Sequence, residues 1–173
     1  MRSCASLGVV LPKDFSFTPD RSLAKASELP ITVQLPHRAS SIDAIGRAFS
    51  NLSAFRPDHV FVFAPLHAGR IVGCSDAVYC WSDGVRVDGT VADDDVCSEE
   101  FSADMLLPFI EGTFGNVPVQ AFFATGRTPL TENLVSRIAS DFPNSVLIVS
   151  NNIDVDCASM WLGGQVEIQD DYS

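Results

Sequence analysis

His59-Val-Phe-Val-Phe-Ala64 is a short and nearly continuous apolar run, bounded by Pro57-Asp58 before it and by Pro65 after it. A run of this kind is typical of a strand that is buried on both faces of a sheet. Three further runs have the same character, at residues 31–35, 117–124 and 146–149. Amphipathic helical patterns separate these runs. The alternation predicts an α/β protein with a mainly parallel sheet that is flanked by helices.

The helical patterns are recognised by apolar residues that recur every three or four positions. One predicted helix follows Ser41, which is a suitable N-cap, a second covers residues 99–110, and a third begins at Thr131. Pro108 falls inside the second helix and indicates a kink or an early end. These helices are the predicted connections between the parallel strands.

A segment rich in β-forming residues, 71–87, lies between the second strand and the second helix. Ser82-Asp83-Gly84 interrupts it, which predicts a hairpin or meander, a small antiparallel insertion beside the main sheet. Residues 91–96, with three consecutive aspartates, are predicted to form an acidic loop. A short helix is expected within residues 22–29.

The composition is that of a globular protein, since 46% of the 173 residues are apolar and 19% are charged. The 22 acidic and 11 basic residues give a net charge of −11. This balance argues against nucleic acid and against an anionic membrane surface, which are bound through Lys and Arg. The five cysteines show no metal or disulfide spacing, which predicts reduced thiols in a cytoplasmic protein without a signal peptide or membrane span. We expect one domain over 1–173, with an irregular segment at 1–29 and a frayed acidic tail at 165–173.

The residues that follow the four predicted strands are polar. Right-handed crossovers place the carboxyl ends of parallel strands at one edge of a sheet, where ligand sites form. The sequence therefore predicts a site at this edge. Its candidate residues, in chain order, are His37, His67, Thr125-Gly126-Arg127, Asn151-Asn152 and Asp154. The third histidine, His59, opens the second strand and is predicted to be a surface or capping residue.

His37 and His67 are predicted to share one metal ion or one substrate, delivered by neighbouring strands. Two imidazoles need a third ligand, and a carboxylate would complete the facial triad that suits Fe(II). Asp154 is the nearest carboxylate beyond the fourth strand, with Asp104 and Cys157 as alternatives. The same two histidines are the candidate catalytic acid and base, because no other histidine is expected near this edge.

Other polar residues are candidates for substrate binding at the same edge: Arg127, Asn151, Asn152 and Asp104. Arg127 and Arg70 could each hold an anionic ligand through a bidentate guanidinium. The alternative interpretation has no metal. In it the histidines are hydrogen-bonded in a shallow cleft, and the arginines form surface salt bridges.

Four short motifs occur in a recognisable order: Leu35-Pro36-His37, Phe63-Ala64-Pro65-Leu66-His67, Glu100-Phe-Ser-Ala-Asp-Met-Leu-Leu-Pro108 and Val149-Ser-Asn-Asn152. In this order and on these predicted elements, they resemble the Memo family, which includes the Memo part of AmmeMemoRadiSam proteins. That family is related by fold to the class III extradiol ring-cleavage dioxygenases. The resemblance covers residues 30–155. It implies that His37 and His67 are the metal-facing histidines of the first two motifs.

The chain departs from the family pattern within these motifs. Arg38 follows the first histidine, and Ala68 replaces the second histidine of a His-His pair. In the third motif, Phe101 stands in place of a histidine and Asp104 in place of a glutamate. Asn152 replaces the aspartate of the fourth motif.

Two hypotheses about function follow. The first is a divergent Memo-like metalloprotein or enzyme with oxidoreductase-like chemistry, a small-molecule ligand, and a divalent metal for which iron is favoured. The second is a non-catalytic binding or assembly module without a metal. Such a module would pair with a second copy or with a partner protein that supplies the rest of the site.

Overall fold

The computed structural model describes residues 14–25, 29–35, 42–66, 77–85, 87–100, 103–124, 129–150 and 166–168. Its strands are β1 Ile31–Leu35, β2 His59–Pro65, β3 Val78–Cys80, β4 Thr90–Ala92, β5 Val119–Ala124, β6 Ser145–Ser150 and β7 Val166–Ile168. Its helices are α1 Ile42–Asn51, α2 Asp94–Glu99, α3 Leu107–Phe114 and α4 Pro129–Asp141. Single 3₁₀ turns occur at Arg21–Leu23, Leu52–Ala54 and Asp104–Leu106.

The strands form one sheet in the order β4-β3-β5-β2-β6-β1-β7. Five neighbouring strands of this sheet are parallel to one another: β5, β2, β6, β1 and β7. β3 is antiparallel to β5, and β4 is parallel to β3. The predicted fold class, an α/β protein with a mainly parallel sheet and a small antiparallel insertion, is confirmed.

Both faces of the sheet are covered by helices, because the central strands are apolar throughout. Val60 and Val62 of β2 belong to a core that also contains Phe49 of α1 and Phe109 of α3. The alternate β2 residues, with Phe61 among them, belong to a second core that α4 closes with two buried side chains, Leu134 and Ile138. The continuous apolar run therefore reflects burial on two sides, as predicted.

The chain leaves the carboxyl edge of the sheet toward opposite faces. α1 connects β1 to β2 on one face, and α4 connects β5 to β6 on the other. In open α/β sheets, ligands bind at the carboxyl ends of the strands between connections that diverge in this way. Here those strands are β2 and β6, and their carboxyl ends are the expected position for a ligand.

The predicted hairpin is wrong, since β3 and β4 pair in parallel, with Tyr79 opposite Val91. The residues from 71 to 76 lie outside the described part of the chain. The predicted acidic loop at 91–96 is also wrong, because it contains the end of β4 and the start of α2. Asp93 caps α2 by accepting a hydrogen bond from the N–H of Val96, at 3.1 Å. Asp94 and Asp95 then lie in the first helical turn, where the helix dipole favours negative charge.

The helix predicted at 99–110 is replaced by separate elements. α2 ends at Glu99, and α3 begins only after the 3₁₀ turn Asp104–Leu106. Pro108 lies in the first turn of α3, where an N–H group has no intrahelical partner and its loss costs nothing. Pro108 therefore marks the start of a separate helix, α3, and does not kink or end one continuous helix.

Smaller differences concern the ends of the chain and the element boundaries. Of the helix expected within 22–29, the described residues form only the turn Arg21–Leu23, and residues 26–28 lie outside the described part of the chain. α4 begins at Pro129 instead of Thr131. The tail predicted to fray includes β7, which pairs in parallel with β1. Ser41, the predicted N-cap of α1, lies outside the described residues. Within the described part of the chain, no helix is long and apolar enough to cross a membrane.

Candidate functional site

Four parallel strands end side by side at the carboxyl edge, in the order β5, β2, β6 and β1. Their last residues are Ala124, Pro65, Ser150 and Leu35. The predicted site residues that follow these strand ends lie outside the described residues: His37, His67, Arg70, Arg127, Asn151, Asn152, Asp154 and Cys157. The structure thus fixes the strand ends from which these residues continue. His37 and His67 each follow a strand end by two positions.

The prediction that His37 and His67 follow neighbouring strands is wrong. β6 lies between β1 and β2 and pairs with both. Since adjacent strands are about 4.8 Å apart, the ends of β1 and β2 are separated by about 10 Å. The physical reason is that the α1 crossover passes over one strand position, which β6 later fills. Asn151-Asn152 follows this central strand and so continues from between the two histidine-bearing ends.

Asp104 is the one predicted site residue that lies within the described chain, where it begins the 3₁₀ turn before α3. α3 is joined to the amino end of β5 by a short link, and Gly115 ends the helix with a positive φ of 73°. The helix therefore runs back along β5. Its eight residues and the preceding 3₁₀ turn span about 18 Å, which nearly matches the roughly 20 Å of β5.

The environment of Asp104 favours its protonated form. Burial raises the pKa of this carboxyl above its usual value, and the negative charge of Glu100 raises it further. Glu100 itself is only 3% exposed. A carboxyl that keeps its proton can donate a hydrogen bond as well as accept one.

Glu100 was not among the candidate site residues, although it opens the third motif. The signal available in the sequence was an acidic residue between two apolar positions, Cys97 and Met105. In the structure, both of these residues are buried. Carboxylates are rarely buried unless they are paired or used, so a glutamate in this setting indicates a special environment.

The two described cysteines, Cys80 on β3 and Cys97 on α2, are free thiols that are buried in the core. Burial raises the pKa of the Cys97 thiol to about 12, with a smaller contribution from the nearby Cys80. A thiol with this pKa is neutral at pH 7 and is a poor nucleophile. Cys97 is therefore part of the core.

His59 lies at the opposite edge of the sheet, at the amino end of β2. Its ring is half-buried and meets Phe142 edge-on, with the ring centroids 4.9 Å apart. It also stacks on Phe61 at 5.9 Å. The half-buried ring of His59 thus makes aromatic contacts at the amino end of β2, far from the carboxyl ends of the parallel strands.

Among the described residues, no group of three or more His, Cys, Asp or Glu side chains could hold a metal ion. The predicted ligand set of His37, His67 and Asp154 lies outside that part of the chain. No protein-family model matches the sequence, and no curated protein matches it significantly. The resemblance to the Memo family therefore stays a prediction.

Proposed function

We propose that this protein binds a small ligand at the carboxyl edge of its parallel strands through a divalent metal, held by His37 and His67. One observation carries the proposal: the ends of β1 and β2 stand on either side of β6, where the connections diverge to opposite faces. This is the position at which open α/β sheets bind ligands. Two histidines two residues beyond these ends supply the imidazoles that iron and related metals accept.

The remaining parts of the proposed site come from the same edge. A carboxylate from Asp154 or Asp104 completes the ligand set, and Asn151, Asn152 and Arg127 offer polar groups to the bound molecule. The raised pKa of Asp104 favours a second role for this residue in proton transfer, since its carboxyl holds a proton more tightly than that of an exposed aspartate. Under this proposal the chemistry is that of a divergent, Memo-like metal protein.

Metal titration of the purified chain tests the proposal. Anaerobic isothermal titration calorimetry with Fe(II), and in parallel with Mn(II), should show one site per chain. Alanine at His37 or at His67 should weaken binding at least about 100-fold, because loss of even an outer partner of a metal ligand costs 10- to 100-fold.

His59→Ala is the matched control, since it removes the same kind of side chain from the opposite end of β2. This variant should bind the metal as the wild type does, while circular dichroism confirms that all variants are folded. Unchanged affinity in both His37→Ala and His67→Ala would contradict the proposal. So would a folded wild-type chain that binds neither metal, and that result would favour the metal-free binding module.

A further inference from the structure

We propose that the exposed edge of the sheet at β4 is a docking site for an extended, basic segment of a partner protein. This surface is separate from the carboxyl edge and does not depend on the proposed metal. It comprises β4 itself, Trp81, and the recess that the residues preceding β4 form against β3.

Within the described part of the chain, the backbone of β4 is paired on one side only. Among the described strands it pairs only with β3, and it is the last strand in the sheet order on that side. The N–H of Asp93 donates to the carbonyl of Cys80 at 3.1 Å. Because successive residues of a strand direct their backbone groups to opposite sides, the N–H and C=O of Ala92 point away from β3. An added strand could pair with these groups.

Natural edge strands are very short or carry charged residues, prolines or bulges, and these features discourage another strand from adding. β4 is short, but none of its residues is charged or is a proline. β4 consists of Thr90, Val91 and Ala92, and Val91 is 44% exposed at its centre. Trp81, directly after β3, is 38% exposed. Exposed aromatic and β-branched side chains beside an open strand are typical of a binding surface.

A recess lies next to the open strand. It has a volume of about 190 Å³ and is lined by Cys80, Val87, Asp88, Gly89, Thr90 and Ala92. At its rim, Arg137 of α4 forms an exposed ion pair with Asp88 at 3.0 Å. The recess lies beside β4 and has room for one side chain of an added strand.

The charge around this edge selects a basic partner. Residues 81–99 contain six carboxylates and one basic residue, Arg86. Asp94 accepts hydrogen bonds from the hydroxyl and the N–H of Ser82, both at 2.7 Å, and these bonds lower the pKa of its carboxyl. Its charge is thereby retained beside the strand. A second copy of this chain would bring two acidic borders together, so a segment carrying Lys or Arg fits better.

Trp81 provides the signal for a direct test. The chain has two tryptophans, so Trp161→Phe leaves Trp81 as the single fluorophore. The probe is a capped seven-residue peptide that alternates Lys with Val or Thr. We expect a saturable change in Trp81 emission that weakens with added salt, and at least about a tenfold weaker affinity for a peptide with Glu in place of Lys.

Two variants in this background separate backbone pairing from general attraction. Ala92→Pro removes the outward N–H, and Val91→Lys places a positive charge on the strand. Each should weaken peptide binding at least about tenfold. Leu23→Lys is the matched control, since it alters an equally exposed apolar side chain, 43% exposed, on the turn that contacts α1. It should leave the affinity unchanged.

Circular dichroism shows whether each variant is folded, and a variant that unfolds is replaced by Val91→Arg, which places a positive charge at this exposed position and should repel the Lys peptide. The proposal would be overturned by equal binding of the Lys and Glu peptides, by full affinity in the folded edge variants, or by no binding at all. Dimers of the free chain that Val91→Lys abolishes would also overturn it, since they would identify a second copy as the occupant.

Discussion

Gly112→Ala tests the packing that fixes α3, and with it Asp104, against the sheet. A Cβ atom at Gly112 would overlap the carbonyl oxygen of Phe17 and lie 2.9 Å from its carbonyl carbon. The obstacle is backbone, so a rotamer change cannot relieve it. The segment around Phe17 must move away from the helix.

The size of the effect follows from two opposing terms. Alanine in a helix interior is favoured over glycine by about 1 kcal/mol. Displacing the segment removes the contacts of two rings with Phe109, namely Phe17 at 4.9 Å and Phe15 at 5.4 Å between centroids. Exposing each partly buried ring costs about 1.5 kcal/mol. We therefore expect Gly112→Ala to lower the free energy of unfolding by about 2 kcal/mol.

Urea denaturation followed by circular dichroism measures this difference, and Gly46→Ala is its control. Gly46 is also a helical glycine that faces Phe17, but its added Cβ would meet a ring carbon at 3.2 Å. The ring can shift slightly, so the stability of Gly46→Ala should stay within about 1 kcal/mol of wild type. If Gly112→Ala is as stable as the wild type, the packing of Phe17 on α3 is refuted.

Two further variants test local electrostatics and capping. Below the ordinary pKa of 3.8, Asp104 is protonated in both the folded and the unfolded chain and has no effect on stability. As the pH rises from there to the raised folded-state pKa, the folded chain holds more protons and loses stability. Asp104→Asn should remove this loss, so thermal melts between pH 3 and 8 should show a smaller decline than in wild type, and an equal or steeper decline would contradict the assigned environment. Asp93→Ala removes the N-cap of α2 and should lower the free energy of unfolding by about 1 kcal/mol, measured by urea denaturation. Asp95→Ala, two residues later in the first turn of the helix, should lower it by less. Equal losses of stability would show that the capping bond is unimportant.

The sequence was sufficient for features that depend on local patterns. The apolar run of β2 predicts a strand buried on both faces, and the structure places its alternate residues in two separate cores. Helical spacing likewise predicts α1 and α4, to within a few residues at their ends. These features are encoded by side chains close together along the chain.

Strand order and the pairing of the outer strands depend on contacts between distant residues, and the predictions failed there, whereas the parallel direction of the central strands was predicted correctly. Nothing near His37 or His67 indicates that β6, more than 75 residues after β2, fills the position between their strands. The parallel pairing of β3 with β4 and the addition of β7 to β1 have the same origin. The failure to predict the N-cap at Asp93 was a different kind of error. Its signal was present in the sequence, as an aspartate three residues before Val96.

For the candidate site, the sequence predicted the carboxyl edge but not the arrangement of the strands there. Polar residues after apolar runs predict a ligand at the carboxyl ends of the strands. The structure shows in which order these strands end, and the ligand stays a prediction. The burial of Glu100 and its effect on Asp104 arise from the packing of α2 and α3, which the sequence pattern had joined into one helix.

The most direct test of the proposed site is paramagnetic broadening of backbone amide signals by Mn(II), measured by NMR on the isotope-labelled chain. Leu66 and Ala124 lie at the carboxyl edge, whereas His59 and Val119 lie at the amino ends of β2 and β5, about 20 Å away. At substoichiometric Mn(II), we expect strong broadening at Leu66 and Ala124 and little at His59 and Val119, with the effect lost in His37→Ala. Broadening centred on the amino edge, or unchanged by His37→Ala, would contradict a metal site at the carboxyl ends of the strands.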